Sequence, residues 1–225
     1  EHRLENKREG GFNPFPSTYN ERLIEAAESL PEVDGDAAVE SGRTDLRHLP
    51  FVTIDPHDAK DFDDAVCLVE ANGRRTLWVG IADVAHYVRP GTTLDASARN
   101  RATSVYLPHA VLPMLPPKLA DELCSLRAEV DRFSMVVAMH LNEANEIEST
   151  EAYEAVINVK RNLAYEDALG KPEFKPMFEL AAAWQEKEVR LNSQNAELRP
   201  RLHGDEAIRV DVKWPNEATR MIESF

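Results

Sequence analysis

Five aspartates within ten residues set the strongest constraint on how this chain folds. They lie in the segment TIDPHDAKDFDDAV, residues 53–66, which contains a single base, Lys60. Apolar stretches flank the segment, LPFV before it and CLV after it. Carboxylates packed so closely repel one another, and their pKa values rise unless a positive charge is added. A chain that buries the flanking stretches therefore gathers these acids where strands meet a loop.

A hard divalent cation relieves that repulsion. Mg²⁺ takes oxygen ligands, is held by a few carboxylates, and shares its other positions with water and substrate phosphate. Two such ions about 4 Å apart clamp the attacking and leaving oxygens of a phosphodiester. An exposed acidic loop is the alternative. The apolar residues within the run, such as Ile54, Phe62 and Val66, and the exclusive use of Asp favour the metal site.

Two other sequence motifs that bind a metal or a phosphoester fit this segment less well. An EF-hand loop needs Gly at its sixth position and Glu at its twelfth, and neither Asp55 nor Asp61 as first residue provides them. A haloacid-dehalogenase phosphatase would place its two aspartates at the end of an apolar strand and follow them with Thr. Asp61 and Asp63 are preceded by polar residues and followed by Asp64. A phosphatase stays as the less favoured alternative.

The charge balance argues at first against a nucleic-acid partner. Asp and Glu number 40 against 26 Lys and Arg, a formal net charge of −14, whereas nucleic acids normally meet a basic surface. The position of the acids matters more than their number. Six acids and no base lie between Glu25 and Glu40, and five acids and no base between Glu143 and Glu154. Neither segment needs to face a phosphate backbone.

The composition is that of a folded protein, with 43% hydrophobic and 29% charged residues. No apolar stretch approaches the roughly 18 residues that a membrane span needs, and the charged start, Glu1 to Gly10, has no signal-peptide core. Cys67 and Cys124 lie far apart in apolar surroundings, which indicates buried reduced thiols. The sequence predicts a cytoplasmic protein with no membrane partner.

Two regions are predicted along the chain. Residues 1–48 form an N-terminal arm or linker with one helix at about 17–30, capped by Ser17 or Thr18, and the acids of 25–40 make a solvated linker. Residues 49–225 form the second region, an α+β unit in which helices flank a mixed sheet.

Within the second region, alternating apolar residues predict strands at 49–56, 62–70, 76–84, 133–141, 146–153, 155–162 and 205–214. Asn72-Gly73 predicts a hairpin turn, and the prolines of 106–117 a loop. Helices are predicted at 93–103 with Thr93 as its cap, at 117–125, at 174–195 and after Pro215. The inner face of the longest helix is predicted to comprise Phe178, Ala181, Ala182 and Val189.

The acidic segment closely resembles the catalytic signature of the ribonuclease II/ribonuclease R (RNB) family of exoribonucleases. The resemblance continues, in order, through GIADVAHYVRPGTTLD, SVYLP, PMLP, LCSL and VDRFSMVV, and is strong over about 49–165. It implies part of an RNB-type catalytic domain, one that degrades RNA from the 3′ end. The activity implied is Mg²⁺-dependent, with Mn²⁺ as a substitute, and releases nucleoside 5′-monophosphates from a single-stranded 3′ end.

The resemblance also implies roles for individual residues. Its four acidic positions match Asp55, Asp61, Asp63 and Asp64, as catalytic residues and metal ligands, and Asp58 lies outside the pattern. The tyrosine of the YLP motif matches Tyr106, which would stack on the 3′-terminal base. The positions at which the family has residues near the substrate sugar match Tyr165 and Glu223. Arg199 falls where the family usually has a second stacking aromatic, and a guanidinium plane can also stack.

The resemblance further implies that the family's catalytic domain continues beyond Phe225. Its later part supplies an arginine that stabilises charge on the scissile phosphate, and flanking barrels bind RNA. We therefore expect these residues to be only part of the catalytic unit, with the basic surface elsewhere. The alternative from another class is a catalytically silent RNA-binding or scaffold module of the same fold. None of His57, His86 and His109 is assigned as a general base.

Overall fold

The computed structural model describes residues 19–107, 110–187, 197–203 and 207–225. The strands are β1 (Thr44–Asp45), β2 (Val52–Asp55), β3 (Asp64–Ala71), β4 (Arg74–Ala82), β5 (Val105–Leu107), β6 (Ala110–Leu112), β7 (Asp131–Leu141), β8 (Ile147–Asn158), β9 (Arg161–Ala164), β10 (Glu197–His203) and β11 (Ala207–Lys213). The α-helices are α1 (Glu21–Glu28), α2 (Gly35–Glu40), α3 (Val84–Tyr87), α4 (Thr93–Arg101), α5 (Tyr165–Ala168), α6 (Lys175–Lys187) and α7 (Glu217–Ser224).

Seven strands form one mixed sheet in the order β1-β8-β7-β4-β3-β2-β9. The two edge strands, β1 and β9, run parallel to their neighbours, and the inner pairs are antiparallel. β5 and β6 form a separate hairpin, and so do β10 and β11. The α+β class with a mixed sheet and flanking helices is confirmed.

The Asn72-Gly73 turn sets the register of the sheet's central hairpin. Both residues have positive φ, 54° and 73°, as a two-residue hairpin loop that follows the strand twist requires. β3 and β4 then pair along their whole length, so that Asp64 at the start of β3 lies opposite Ile81. The acidic start of β3 therefore lies at the open end of this hairpin, the end distant from the Asn72-Gly73 turn.

Each face of the sheet has its own apolar core, because successive side chains of a strand point to opposite faces. On one face, Ala65 and Cys67 of β3 lie in a cluster with the fully buried Leu126. On the other face, Val66 lies in a cluster with Met221 of α7 and with residues of α6. Burial on both faces makes β3 a rigid inner strand.

The prediction of an N-terminal arm is wrong for residues 19–48. Leu23 and Ala27 of α1, Ala38 of α2 and Leu46 are buried in the core of the first face. Burying these side chains stabilises the fold by roughly 25 cal/mol for each Å² of apolar surface removed from water. The segment is therefore an integral layer of the folded body.

The acids of 25–40 stay exposed at the surface of this layer, and two of them form ion pairs. Glu32 Oε1 lies 2.5 Å from Lys118 Nζ, and Asp36 Oδ1 lies 2.8 Å from Arg47 Nη1.

The cap of helix α1 also differs from the prediction. Asn20 caps α1, its Oδ1 accepting the Leu23 N–H at 2.8 Å, while Ser17 and Thr18 lie outside the described residues.

Other boundaries differ from the sequence predictions in detail. The cap of α4 is Thr92, whose hydroxyl accepts the Asp95 N–H, and not Thr93. The proline-rich loop contains the β5–β6 hairpin, and the helix predicted at 117–125 is a π-helical turn, Lys118–Leu123.

The predictions for the longest helix and for 146–162 also change. α6 is described as far as Lys187, with Met177 and Leu180 buried on its inner face. Ala182 is exposed, and Val189 lies outside the described residues. The strands predicted at 146–153 and 155–162 are one long strand, β8, followed by β9.

Within the described part of the chain, no helix combines the length and the apolar character that crossing a membrane requires. The two cysteines are free and buried, as predicted. Burial disfavours the thiolate and raises the pKa of each thiol to about 12.

The packing of α1 predicts a stability effect of Leu23→Ala. Leu23 is 3% exposed, so truncation leaves a cavity and lowers the free energy of unfolding by about 2–5 kcal/mol. Its neighbour Ile24 is 44% exposed, and Ile24→Ala is expected to change stability by no more than about 0.5 kcal/mol. Urea unfolding followed by tryptophan fluorescence measures both, and equal effects would contradict the placement of α1.

The two thiols are expected to be inert in the folded protein at pH 8. With a pKa of about 12, both Cys67 and Cys124 are almost fully protonated there, and the thiol is a poor nucleophile. Titration with a chromogenic disulfide reagent should give no rapid reaction under native conditions and two thiols per chain in denaturant. Rapid native reaction of either thiol would contradict the burial.

Candidate active site

The acids of the predicted site lie at the ends of two neighbouring strands. Asp55 is the last residue of β2 and Asp64 the first of β3. Since these strands are antiparallel neighbours, the end of one and the start of the other lie at the same edge of the sheet. The loop 56–63 between them carries Asp61 and Asp63. The carboxylates are close enough that Asp61, Asp63 and Asp64 all act on the charge of Asp55.

One carboxylate oxygen in this group is buried and has no hydrogen-bond partner. It is Asp55 Oδ2. Burial, with repulsion from the neighbouring carboxylates, raises the pKa of Asp55 to about 7, although a hydrogen bond from Thr53 acts in the opposite direction. A buried acceptor without a donor is costly, and a bound cation would satisfy it.

The neighbouring acids experience the same crowding. Burial raises the pKa of Asp64. For Asp63, which is exposed to solvent on one side, desolvation by the surrounding protein and the charges of Asp61 and Asp64 raise the pKa. The group therefore favours binding of a positive charge.

The arrangement fits a hard cation that draws on water and phosphate for many of its ligands. Among the described residues, no three His, Cys, Asp or Glu side chains form a ready-made metal-binding group. Mg²⁺ does not require one, because it keeps several waters and is bound by one or two carboxylates together with substrate phosphates. The all-aspartate donor set and the unpartnered Asp55 Oδ2 agree with that mode of binding.

The structure brings Tyr106 to the acids. Tyr106 lies on β5, its hydroxyl donates to Asp61 Oδ2 at 3.3 Å, and its side chain is 68% exposed. Burial and the negative charge of Asp61 raise the pKa of the phenol. An exposed aromatic ring beside the acid cluster is free to stack on a flat ligand such as a base.

Two residues that the sequence did not reveal bind the segment directly after β6, and so anchor the β5–β6 hairpin that carries Tyr106. Arg101, which is buried, donates to Pro113 O at 3.2 Å and lies over the Tyr19 ring at 4.1 Å. Tyr19 in turn donates to Leu115 O at 2.6 Å. No local pattern points to either residue, since their partners are distant in sequence.

A third missed residue, Asn162 of β9, supports the strand that ends in Asp55. Its Nδ2 donates to Thr53 Oγ1 and to Leu126 O, both at 3.0 Å, and its Oδ1 accepts the Ala128 N–H at 2.7 Å. These three hydrogen bonds tie the amide to β2 and to residues 126–128, and so fix the hydroxyl beside Asp55.

The other predicted contacts are distributed as follows. Tyr165 begins α5 directly after Ala164, which pairs with Asp55 across β9 and β2, so it lies at the same sheet edge as the acids. Glu223 is exposed on α7. Arg199 lies on β10 opposite Asp211, and its side chain is outside the described residues. The roles of all three stay predictions.

The histidines that were not assigned as bases have different surroundings. His86 lies in a structural cluster: its backbone N–H donates to Asp83 Oδ1 at 3.1 Å, and its ring meets the Phe133 ring edge-on at 4.4 Å between centroids. His57 is exposed, with its Nδ1 3.7 Å from Asp58 Oδ1. His109 lies outside the described residues.

The fold and the acid cluster define an α+β protein with an oxygen-donor site at one edge of a mixed sheet. The chain matches the RNB domain family over residues 43–225 and belongs to that family. Ribonuclease R of Vibrio parahaemolyticus serotype O3:K6 is 40% identical over 216 residues, which are 94% of this chain and 25% of the relative. The chain thus spans about a quarter of that relative's length.

Solved structures share the fold. Mycoplasma genitalium RNase R in complex with ribose methylated single-stranded RNA matches with a TM-score of 0.84 and 28% identity, over 93% of this chain and 35% of that chain. Yeast Ssd1, a pseudonuclease, matches with a TM-score of 0.61 and 23% identity, over 69% of this chain and 20% of that chain, a likeness of fold alone. The resemblance and the RNB-type fold are confirmed.

The crowding at Asp55 predicts that Asp55→Asn stabilises the metal-free protein. A folded pKa of about 7, against about 3.9 in an unfolded chain, means that folding carries a penalty that grows from about pH 4 and is complete above about pH 7. The neutral amide removes it, so we expect at least about 1 kcal/mol more stability at pH 8 in EDTA.

Chemical denaturation at pH 8 and at pH 5 measures this effect, and the gain should shrink at the lower pH. Asp58→Asn is the matched control, because Asp58 lies on the same loop and is 53% exposed. Its substitution should change stability little. A loss of stability on Asp55→Asn, or a gain independent of pH, would contradict the account of the site.

Proposed function

We propose that this protein is a 3′-to-5′ exoribonuclease that uses Mg²⁺, or Mn²⁺ in its place, to hydrolyse single-stranded RNA to nucleoside 5′-monophosphates. The observation that carries the proposal is the unpartnered Asp55 Oδ2 within a cluster of aspartates at the ends of β2 and β3. Family membership, a relative named ribonuclease R and the RNA complex of a structural neighbour support RNA as the substrate.

In the proposed reaction, water attacks the last phosphodiester, and the bond between phosphorus and the O3′ of the penultimate nucleotide breaks. The phosphate stays on the 5′ side of the released nucleotide, and the shortened RNA gains a proton on its new 3′-hydroxyl. Asp55, Asp61, Asp63 and Asp64 would hold the cation and orient the attacking water through hydrogen bonds. A bound Mg²⁺ supplies Lewis acidity to the phosphate and offsets its charge.

The substrate contacts are proposed in the same way. Tyr106 stacks on the 3′-terminal base, and its hydrogen bond to Asp61 links base binding to the acid cluster. Tyr165 and Glu223 would contact the sugar, whose 2′-hydroxyl separates RNA from DNA. Arg199 would stack through its guanidinium plane. Stacking reads no sequence, which suits a degradative enzyme.

The alternative is a catalytically silent module, and the same fold does occur in the pseudonuclease Ssd1. A module that only binds RNA has no use for clustered negative charges near phosphates, which would weaken binding. All four aspartates of the motif are present here. No observation of the site favours a small-molecule phosphatase.

Asp63→Asn separates the enzyme from the silent module. Because the chain spans only part of its relatives' length, the experiment uses the full-length gene product with a uniformly labelled RNA oligonucleotide and Mg²⁺. We expect release of mononucleotides to fall by at least about 100-fold, since the substitution removes a group that acts on the reacting centre. RNA binding, measured by fluorescence anisotropy in EDTA, should be retained or strengthened.

The matched control is Asp58→Asn, which removes one negative charge from the same loop and should keep cleavage close to that of the unsubstituted protein. Cleavage unaffected by Asp63→Asn would overturn the metal-site assignment. A protein that binds RNA and never releases mononucleotides with either metal would establish the silent module instead.

A further inference from the structure

We infer that Ser125 is a positioning residue for the loop 56–63. Its hydroxyl fixes the two peptide groups on either side of Asp61, and so determines where the Asp61 carboxylate would meet the cation. The inference rests on the proposed function, because it assigns Ser125 a role toward the same site. Ser125 does not touch the reacting atoms. It acts through Asp61.

The hydroxyl of Ser125 makes two hydrogen bonds to the loop. It donates to Lys60 O at 2.7 Å and accepts the Phe62 N–H at 3.2 Å. A hydroxyl has one proton to donate, and here that proton and one lone pair are both used on the same loop. Ser125 is fully buried, so water does not compete for either partner.

The residue after Ser125 adds a third bond. The Leu126 N–H donates to Phe62 O at 2.8 Å, so both backbone polar groups of Phe62 are held by consecutive residues of one segment. On the far side, the Ala82 N–H donates to Asp63 O at 2.9 Å. Asp61 is therefore enclosed by fixed peptide groups, and its backbone has little freedom to move its carboxylate.

Ser125 is itself held in place. Its carbonyl accepts Arg132 Nε at 3.0 Å, and Arg132, which is 8% exposed, also donates to its own neighbour Asp131 O at 2.8 Å. A buried guanidinium is an unusual support for a loop. Ser125 is thus held through its carbonyl by Arg132 as well as through its hydroxyl by the loop.

Losing the hydroxyl has a specific consequence. With Ser125→Ala, Lys60 O and the Phe62 N–H are left without these partners, and the loop must shift to reach water. The carboxylate of Asp61 moves with it. Partners that orient metal ligands typically matter by 10–100-fold in metal affinity or activity.

The test uses the full-length protein with Ser125→Ala, and with Ser125→Thr, which restores the hydroxyl. Three quantities are measured: hydrogen exchange of a peptide covering residues 56–66, Mn²⁺ affinity by calorimetry, and kcat and KM on a single-stranded RNA. For Ser125→Ala we expect faster loop exchange, at least about tenfold weaker Mn²⁺ binding and at least about tenfold lower kcat, with a smaller change in KM than in kcat. Ser125→Thr should recover most of the Mn²⁺ affinity.

Ser224→Ala is the matched control for a purely structural effect. Ser224 is 8% exposed, and its hydroxyl also donates to a carbonyl, Arg220 O at 2.7 Å, and accepts an N–H, from Gln185 Nε2 at 2.7 Å. Its loss should lower stability without changing the exchange of the 56–66 peptide or the Mn²⁺ affinity. If Ser125→Ala and Ser224→Ala behave alike in those two measurements, the inference is overturned.

Unchanged Mn²⁺ affinity and loop exchange in Ser125→Ala would also overturn it. If Ser125→Ala does not fold, Ser125→Cys replaces it, because a thiol keeps the size but forms weak hydrogen bonds. Affinity equal to that of the unsubstituted protein in Ser125→Cys would then overturn the inference. Failure of the proposed function is distinguished by Asp63→Asn: if that variant cleaves RNA normally, the metal-site assignment fails whatever Ser125 does.

Discussion

Repulsion between carboxylates is the constraint on which the rest of this structure depends. Two unit charges 4 Å apart in a medium of effective dielectric constant near 20 interact by about 4 kcal/mol, which is comparable to the net stability of a small domain. A loop free to move would separate its acids and lose the site. The sheet prevents this, because β2 is paired with β3 on one side and with β9 on the other.

Support for the site comes from segments far apart in the sequence. Asn162 fixes Thr53 beneath Asp55, and Ser125 fixes the loop on both sides of Asp61. Arg101 and Tyr19 hold the hairpin that presents Tyr106. The acids themselves lie within ten residues, but the groups that determine their geometry do not. The fold thus converts a short acidic motif into a rigid arrangement by surrounding it with hydrogen bonds from distant segments.

The sequence predicted those parts that depend on local pattern. Alternating apolar residues located β2, β3 and β4, and Asn72-Gly73 located their turn, because strand period and turn conformation are properties of neighbouring residues. Composition misled for residues 19–48. Their acids suggested a solvated linker, and the ion pair between Glu32 and Lys118 joins residues that no local pattern connects. Ser125 lies in the LCSL motif, but no local pattern connects it with residues 60–62, so its role could not be assigned from the sequence.

The bond from Tyr19 to Leu115 O bears on where this domain can be divided. The match to the RNB family model begins at residue 43, so a boundary drawn from that match alone would fall there. It would nevertheless remove α1, α2 and the aromatic ring on which Arg101 rests. The β5–β6 hairpin that carries Tyr106 would then lose the contacts that anchor it, while every acidic residue remained. The stretch matched by the family model is therefore shorter than the unit that holds this hairpin in place.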